Sequence, residues 1–583
     1  MLKTLGAQIK EFKADSIKTP IAMLVEVLME TLIPLLMAKI IDDGIQAGNL
    51  KVIYLTGLGM LVLAVIGLLA GLAGGIFGAR ASAGFARNLR KAMFENIQTF
   101  SFSNIDKFST AGLVTRMTTD VTNIQNAYQM ILRMGVRAPM SMICALAMAF
   151  FINARIATIY LGAVIFLAII MGIIMKFAMK YFHDVFTKYD ELNSSVQENV
   201  TGIRVSKAFV REDYEINRFQ KASANIYKLF TKAESMVVLN MPVMMFTVYA
   251  CILLISWVGA HMIVSDTLTT GELMSLLTYC MNILMSLMML SMIFVMITMS
   301  MASAERISEV LNEKADLVNP ENPDYEIPDG SIKFENVVFR YNKTSESPVL
   351  SDINLEIKSG ETIGVIGGTG SAKTSLVNLI SRLYDVDEGT VYVGGKDVRT
   401  YDLEMLRDQV SVVLQKNVLF SGTIYENLRW GDINATDEEC KRACELACAD
   451  EFIEKMPQGY NTFIEQGGTN VSGGQKQRLC IARALIKKPK ILILDDSTSA
   501  VDTATDAKIR NAFATEIPNT TKIIIAQRIS SVQNADKIIV MDDGKINGFG
   551  NHDELLANNE IYRDVYEAQT GGSGDFDENG GEA

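Results

Sequence analysis

The stretch Gly367-Gly368-Thr369-Gly370-Ser371-Ala372-Lys373-Thr374 has the residue types and spacing to hold phosphate. It follows an apolar, strand-like run from Glu361 to Ile366. Small residues let backbone N–H groups turn inward onto an anion, and a helix that starts there adds its positive end. Gly367, Gly368 and Gly370 supply that openness, with Thr369, Ser371 and Ser375 completing the cradle. Lys373 offers a cation to the β- and γ-phosphates of a nucleoside triphosphate, and Thr374 offers a hydroxyl to Mg²⁺. Ala372 stands where the strict pattern asks for glycine. Its methyl group is tolerable in right-handed helical backbone and costs about 1 kcal/mol or more if φ must be positive. A second apolar strand, Ile491 to Leu494, ends in the carboxylates Asp495 and Asp496, and Val471-Ser472-Gly473-Gly474-Gln475 lies between the two strands.

These residues belong to the later half of a 583-residue chain, a length that calls for at least two domains. Apolar residues make up 49% and crowd into the first 300 positions, so the positive mean hydropathy of +0.21 hides a membrane half and a soluble half. A net charge of -12 argues against a nucleic-acid binder, which needs a basic face. Cys144, Cys251 and Cys280 sit in apolar segments, and Cys440, Cys444 and Cys448 share one helical face. With no histidine near that face, buried thiols in a reducing cytoplasm are expected rather than a metal site. No cleavable leader is expected, because Lys3, Lys10 and Lys13 lack a short apolar core and a small-residue cleavage site after them.

Six apolar stretches are long enough to cross a bilayer: Ile21–Ile41, Leu55–Phe77, Val136–Ile152, Ala157–Phe177, Val237–Val264 and Leu273–Met299. Lys10, Lys13 and Lys18 precede the first, Arg80, Arg87, Arg90, Lys91 and Lys107 follow the second, and Lys176, Lys180, Lys188 and Arg204 follow the fourth. The loops Asp42–Asn49 and His261–Gly271 hold no Lys or Arg. The positive-inside rule therefore places both termini, the two long loops and the phosphate-binding half in the cytoplasm of a multi-pass protein of the inner (cytoplasmic) membrane. Those two loops span roughly 55 and 60 residues, far beyond an ordinary connection, and read as charged helices with a turn at the tip. Met281, Met285, Met288, Met292, Met296 and Met299 form one helical stripe. It is either a permissive apolar wall or ordinary helix and lipid packing. Glu26 and Glu30 lie one turn apart inside the first span, where carboxylates are costly. They either line a path for cations or, the simpler reading, sit near the cytoplasmic interface or pair with a basic side chain. Pro34, just beyond, is expected to kink this helix.

Asn319-Pro320-Glu321-Asn322-Pro323 and Pro328-Asp329-Gly330 break the helical pattern. The expected organisation is a transmembrane domain over 1–316, a linker over 317–330, a nucleotide-binding domain over 331–569, and an acidic, Gly-rich, disordered tail over 570–583. Alternating apolar residues and strand–loop–helix units make the third part α/β.

The phosphate loop, the Asp495-Asp496 strand and the Ser472-Gly473-Gly474-Gln475 segment together resemble the nucleotide-binding domain of an ATP-binding cassette (ABC) transporter. The long loops are similar to those of ABC exporters as well: Gly112-Leu113, Arg116 and Asp120 match the first, and Glu198, Gly202, Lys207 and Phe209 the second. The implied fold is an α-helical six-span transmembrane domain followed by an α/β P-loop ABC nucleotide-binding domain with a helical subdomain. The resemblance implies ATP and Mg²⁺ as cofactors. It implies that Tyr341 stacks on adenine, that Gln415 senses Mg²⁺ and γ-phosphate, and that Asp495 holds Mg²⁺ through water. It also implies that Ser472, Gly473, Gly474 and Gln475 cap the ATP of an opposite subunit, that Asp502 communicates across the dimer, and that short helices at the loop tips press on the nucleotide domains.

Two departures from the family pattern sharpen the expectation. Active members carry Glu after the strand aspartate, where it polarises the attacking water; here it is Asp496, one methylene shorter. Geometry governs a general base before its pKa does, and misplacing it forfeits much of the roughly 10²–10⁴-fold such catalysis supplies. The family's switch histidine is replaced by Gln527, whose amide can hydrogen-bond phosphate but cannot carry imidazolium charge. A slow, degenerate site is expected. The partner it calls for is a second half-transporter with intact Glu and His, the pair forming a heterodimeric exporter of the bacterial multidrug type for small hydrophobic compounds. The alternatives are a homodimeric lipid or peptide exporter and a non-transporting regulatory subunit.

Overall fold

The computed structural model describes residues 1–343 and 345–570; the acidic tail beyond Thr570 lies outside the described residues. The chain forms two compact units. One comprises Met1–Gln98 and Ser109–Glu313; the other comprises Thr99–Phe108 and the chain from Lys314 onward.

Six apolar helices dominate the first unit, α1 (Lys13–Lys39), α2 (Leu50–Gln98), α3 (Val121–Ile152), α4 (Ala154–Thr201), α5 (Asn240–Val264) and α6 (Thr270–Asn312), with the charged 27-residue helix Glu212–Val238 leading into α5. Each lies within a helical stretch long and apolar enough to cross a membrane. At 49 residues α2 measures roughly 70 Å, more than twice the hydrocarbon thickness, so its charged end continues beyond the bilayer as the loop composition foretold. The third span is part of a longer helix than its apolar run, because Arg133 and Arg137 interrupt the hydropathy without interrupting the helix.

Polar side chains fasten these helices where an apolar face alone would not set register. Asn153 turns the chain between α3 and α4 by accepting from the N–H groups of Arg155 and Ile156, at 3.0 and 3.1 Å. Thr269 and Glu272 form a capping box at the start of α6. Asp42 accepts from Gly271 N at 2.9 Å and from Thr269 Oγ1 at 2.6 Å, joining the two loops that lack Lys and Arg. Gly271 permits this approach, since a Cβ there would lie 2.5 Å from Ala38 O. Near Pro34, which denies α1 one N–H donor, Ser275 Oγ donates to Pro34 O at 2.5 Å and Tyr279 Oη to Thr31 O at 2.7 Å. Near the other end, buried Asp120 accepts from Ser303 Oγ (2.8 Å) and Arg306 Nε (2.7 Å), and Arg116 pairs with Glu309 at 3.0 Å. Two of the four residues matched to the first exporter loop, Arg116 and Asp120, thus clamp the base of α3 to α6.

In the second unit a six-stranded sheet runs β9-β8-β3-β7-β6-β5. Its strands are β3 (Thr362–Gly367), β5 (Val410–Val413), β6 (Ile491–Asp495), β7 (Thr521–Ile525), β8 (Lys537–Asp542) and β9 (Lys545–Gly550). All neighbours are parallel except β8 and β9. A second, antiparallel sheet pairs β1 (Ile332–Phe339) with β2 (Leu350–Ile357) and β4 (Glu388–Val393). The central strands are apolar on both faces, as a sheet covered on both sides demands. A helical region around Asp437–Leu446 and Gly473–Ile486 packs on the same core, and Cys440, Cys444 and Cys448 are buried in it as apolar filling.

Candidate functional site

Parallel strands end on one side of a sheet, and ligand sites gather at those carboxyl ends. Here β3 runs into the phosphate loop, β6 into Asp495 and Asp496, β7 toward Gln527 and β5 toward Gln415. Register does the rest: Ile525 of β7 lies opposite both Val365 of β3 and Asp495 of β6. Four separate chain segments are thereby brought to one edge.

The phosphate loop leads into helix α7 (Lys373–Ile380). Gly367 needs its bare Cα, because a Cβ would lie 2.3 Å from Met541 O. Ala372 adopts φ 68, ψ 23, the left-handed region. The costlier of the two cases therefore holds for this substitution: its methyl group is strained where glycine would not be. Lys373 Nζ lies inside the loop, donating to Gly367 O at 2.9 Å, Gly368 O at 2.7 Å and Ser371 Oγ at 3.3 Å. Burial lowers its pKa, with Asp495 and Asp496 pulling the other way.

Thr374 Oγ1 lies 3.1 and 2.9 Å from the two oxygens of Asp495, which is 2% exposed. Burial raises the Asp495 carboxyl above its usual range, against the Thr374 hydrogen bond. A hydroxyl converging on a buried carboxylate is an all-oxygen donor set, which fits Mg²⁺. Asp496 has φ 48, so its short side chain leaves a left-handed residue. Gln527 Nε2 donates to Asp496 Oδ2 at 2.9 Å. Burial raises the Asp496 carboxyl too, while its hydrogen bonds to Gln527 and Gln415 lower it. The two departures read from the sequence are thus direct neighbours in space.

Tyr341, the expected adenine platform, is 47% exposed. Its hydroxyl bonds Ser375 Oγ at 2.9 Å, and its ring meets Phe339 and Tyr384 edge-on, at 4.9 and 5.0 Å between centroids. Ser472 and Gln475 form a capping box at the start of helix α8 (Gly473–Ile486), with Ser472 N donating to Gln475 Oε1 at 3.0 Å. Gly474 lies against Ala500, whose carbonyl would be 2.7 Å from a Cβ. Gln477, unremarked in the sequence, bonds both Ala500 N (3.0 Å) and Ser499 Oγ (3.3 Å), tying the signature helix to the Asp502 loop. Asp502 caps helix α9 (Thr503–Glu516) by accepting from Thr505 N at 2.9 Å, and this bond holds its carboxyl below the usual range. The structure thus gathers Gly367–Ser375, Tyr341, Asp495, Asp496, Gln415 and Gln527 on one surface. Ser472–Gln475 and Asp502 bond to their own helices, and Gln477 links the two neighbourhoods.

In the first unit, Arg137 forks between the two span carboxylates, at 2.8 Å from Glu26 and 3.0 Å from Glu30. The pairing alternative holds for them. A cavity of about 660 Å³ beside them is lined by Glu26, Glu30, Arg133 and the glycine-rich face of α2. The methionine stripe is divided: Met281, Met285, Met292 and Met299 are exposed, Met288 and Met296 are half-buried with Met288 packed against the core, and Ile283, Leu284 and Ile293 are buried.

Two families match the sequence, one described as the ABC transporter transmembrane region over residues 17–288 and one as ABC transporter over residues 350–499. An uncharacterized ABC transporter ATP-binding protein of Bacillus subtilis (strain 168), YfiB, is 38% identical over 557 residues, 95% of this chain and 96% of its own. The chain is an ABC transporter. An uncharacterized ABC transporter ATP-binding protein of Mycobacterium tuberculosis, Rv1273c, is 36% identical over 98% of both chains. An ATP-dependent lipid A-core flippase of Desulfotalea psychrophila is 34% identical over 79% of this chain and 80% of its own. Among solved structures, a bacterial Atm1-family ABC exporter with ATP bound superposes with a TM-score of 0.81, covering 96% of this chain and 99% of that one at 23% identity. This ABC transporter therefore fuses a multi-pass transmembrane domain to an ATPase-family domain, in the fold of the Atm1-family exporters.

Proposed function

We propose that this ABC transporter is one half of a heterodimeric exporter and that its own ATP site binds nucleotide but turns it over slowly. One observation carries the reading. The carboxylate that follows the β6 strand is an aspartate, and it is bonded at 2.9 Å to a glutamine amide where the family has histidine. A general base needs a free lone pair within reach of the water it activates. Asp496 is short, and one of its oxygens already accepts from Gln527.

Each residue keeps a binding role. Lys373 and the N–H groups of Gly368 to Thr374 would hold the triphosphate, Tyr341 would stack on the base, and Thr374 and Gln415, with Asp495 through water, would hold Mg²⁺. The ion would neutralise charge on the β- and γ-phosphates. Ser472 to Gln475, presented at the start of the 14-residue α8, cap the ATP of the partner subunit. ATP closes the two nucleotide domains, and hydrolysis at the partner's site, with its intact Glu and His, resets them. The site lies on the cytoplasmic side of the inner membrane. The cargo is hydrophobic, taken up against the exposed methionines Met281, Met285, Met292 and Met299, whose side chains suit many shapes. Asp502 relays closure between the subunits.

The test is co-expression with a second half-transporter bearing Glu and His at these two positions. The expected outcome is a stable 1:1 complex whose ATPase is stimulated by cargo and falls with loss of the partner's glutamate. A complex that keeps its full rate after that loss contradicts the reading. A second reading, a homodimeric lipid exporter, is favoured by the likeness to the lipid A-core flippase. Lipid transport by this chain alone in vesicles would establish it.

A further inference from the structure

Tyr384 belongs to none of the motifs that hold nucleotide, yet it touches both the adenine side of the site and the tip of the first long loop. It follows α7 by four residues, and its ring lies edge-on to Tyr341 at 5.0 Å and 87°. It also lies 5.7 Å from Phe339 and 6.0 Å from Phe102. Its hydroxyl donates to Asp106 Oδ2 at 2.8 Å. Phe102 and Asp106 belong to the short helix Phe102–Phe108, which is part of the same compact unit as the ATP site. Burial, with the Asp106 carboxylate beside it, pushes the Tyr384 phenol up, so the hydroxyl stays a donor.

The helix has a second fastening that does not involve the nucleotide wall. Buried Asn104 donates to Lys314 O at 3.1 Å, and Ser103 Oγ to Asp316 Oδ2 at 2.8 Å. These bonds seat the helix on Lys314 and Asp316, in the segment that follows α6. The ring contacts are different in kind. Tyr341 is pinned through Ser375 to the phosphate-loop helix, so a base stacked on it fixes its ring. Rings packed edge to face move together, because close-packed side chains transmit displacement.

We infer that Tyr384 is a positioning residue that passes adenine occupancy at Tyr341 to the Phe102–Phe108 helix through its hydrogen bond to Asp106. The inference rests on the ATP-site reading above and deepens it: the helix senses the base, not the triphosphate alone.

Hydrogen–deuterium exchange on the full-length protein in lipid nanodiscs tests it, with Mg–ATP and Mg–inorganic triphosphate as probes. In the wild type, ATP should slow amide exchange across Phe102–Phe108 by roughly tenfold, the scale of one hydrogen bond to a charged group, and inorganic triphosphate should not. Tyr384→Phe keeps the ring and removes the donor. It should bind ATP as the wild type does and lose the ATP-dependent slowing. Asp106→Ala should do the same, and the double variant should be no worse than either single one. Asn104→Ala is the contrast: it should speed exchange with and without ATP while the ratio persists. Full ATP protection in Tyr384→Phe overturns the inference, as does equal protection by inorganic triphosphate or equal loosening with and without nucleotide. ATP that fails to bind at all, with Lys373→Ala making no difference, overturns the ATP-site reading and this inference together.

Discussion

Two surfaces of the nucleotide-binding half are proposed to bear on ATP, and they depart unequally from the family pattern read in the sequence. The surface at the carboxyl ends of β3, β5, β6 and β7 departs from the family at Ala372, Asp496 and Gln527. The surface at the start of α8 keeps Ser472, Gly473, Gly474 and Gln475, with its capping box formed and Gln477 bracing it against Ala500. Binding groups survive on both. On the first, the changes fall on one residue of the phosphate loop, Ala372, and on the two hydrolytic positions, Asp496 and Gln527. On the proposed reading, the surface that would serve another subunit's nucleotide is kept while the chain's own hydrolytic edge is blunted, and this asymmetry would distinguish a specialised half from a decayed transporter.

The contrast breaks most visibly at Lys373. Lys373→Ala should weaken nucleotide binding by roughly a hundredfold, measured by fluorescent-ATP titration, because charge-assisted bonds to phosphate are lost. Unchanged binding would mean that the loop does not hold phosphate. Asp496→Glu should then raise turnover at this site roughly tenfold or more, with a further gain from Gln527→His, read as phosphate release. If neither changes the rate, the departures are not what slows the site. Ser472→Ala should leave this chain's own ATP affinity unchanged and lower the partner's hydrolysis. The opposite pattern would assign the signature to the wrong nucleotide. Ala372→Gly should relieve the left-handed strain, worth about 1 kcal/mol, and tighten ATP binding or raise the melting temperature.

The smallest effect concerns pH. The Asp495 carboxyl is raised by burial, so its ionised form is disfavoured in the folded protein. A raised carboxyl favours the fold while protonated and loses that benefit as pH rises through its folded pKa. Asp495→Asn should therefore raise the melting temperature at neutral pH, with the gain shrinking as pH falls toward the carboxylate range. In the wild type, Mg–ATP affinity should begin to fall at a higher pH than an ordinary aspartate would allow. Thermal melts and binding titrations between pH 4 and 8 would follow both, within the usual carboxylate range and above it.

Much of this was readable from residues alone. Six apolar runs announced the spans because lipid demands length and composition, and the phosphate loop announced itself because few residue types tolerate its backbone. Other features depend on neighbours far away in sequence. Arg137 marked a weak span until Glu26 and Glu30 were found against it. Whether Ala372 was harmless hung on a φ angle that no pattern reports. Tyr384, Asn104 and Gln477 carry no motif, and what they do lies wholly in whom they touch.

The most direct measurement is ATP turnover by this chain purified and reconstituted by itself, beside its Asp496→Glu, Gln527→His double variant. Slow hydrolysis by the wild type despite full nucleotide binding, and a clear acceleration in the double variant, is the expected result. Brisk hydrolysis by the unpartnered wild type, unchanged by the double substitution, would contradict the account.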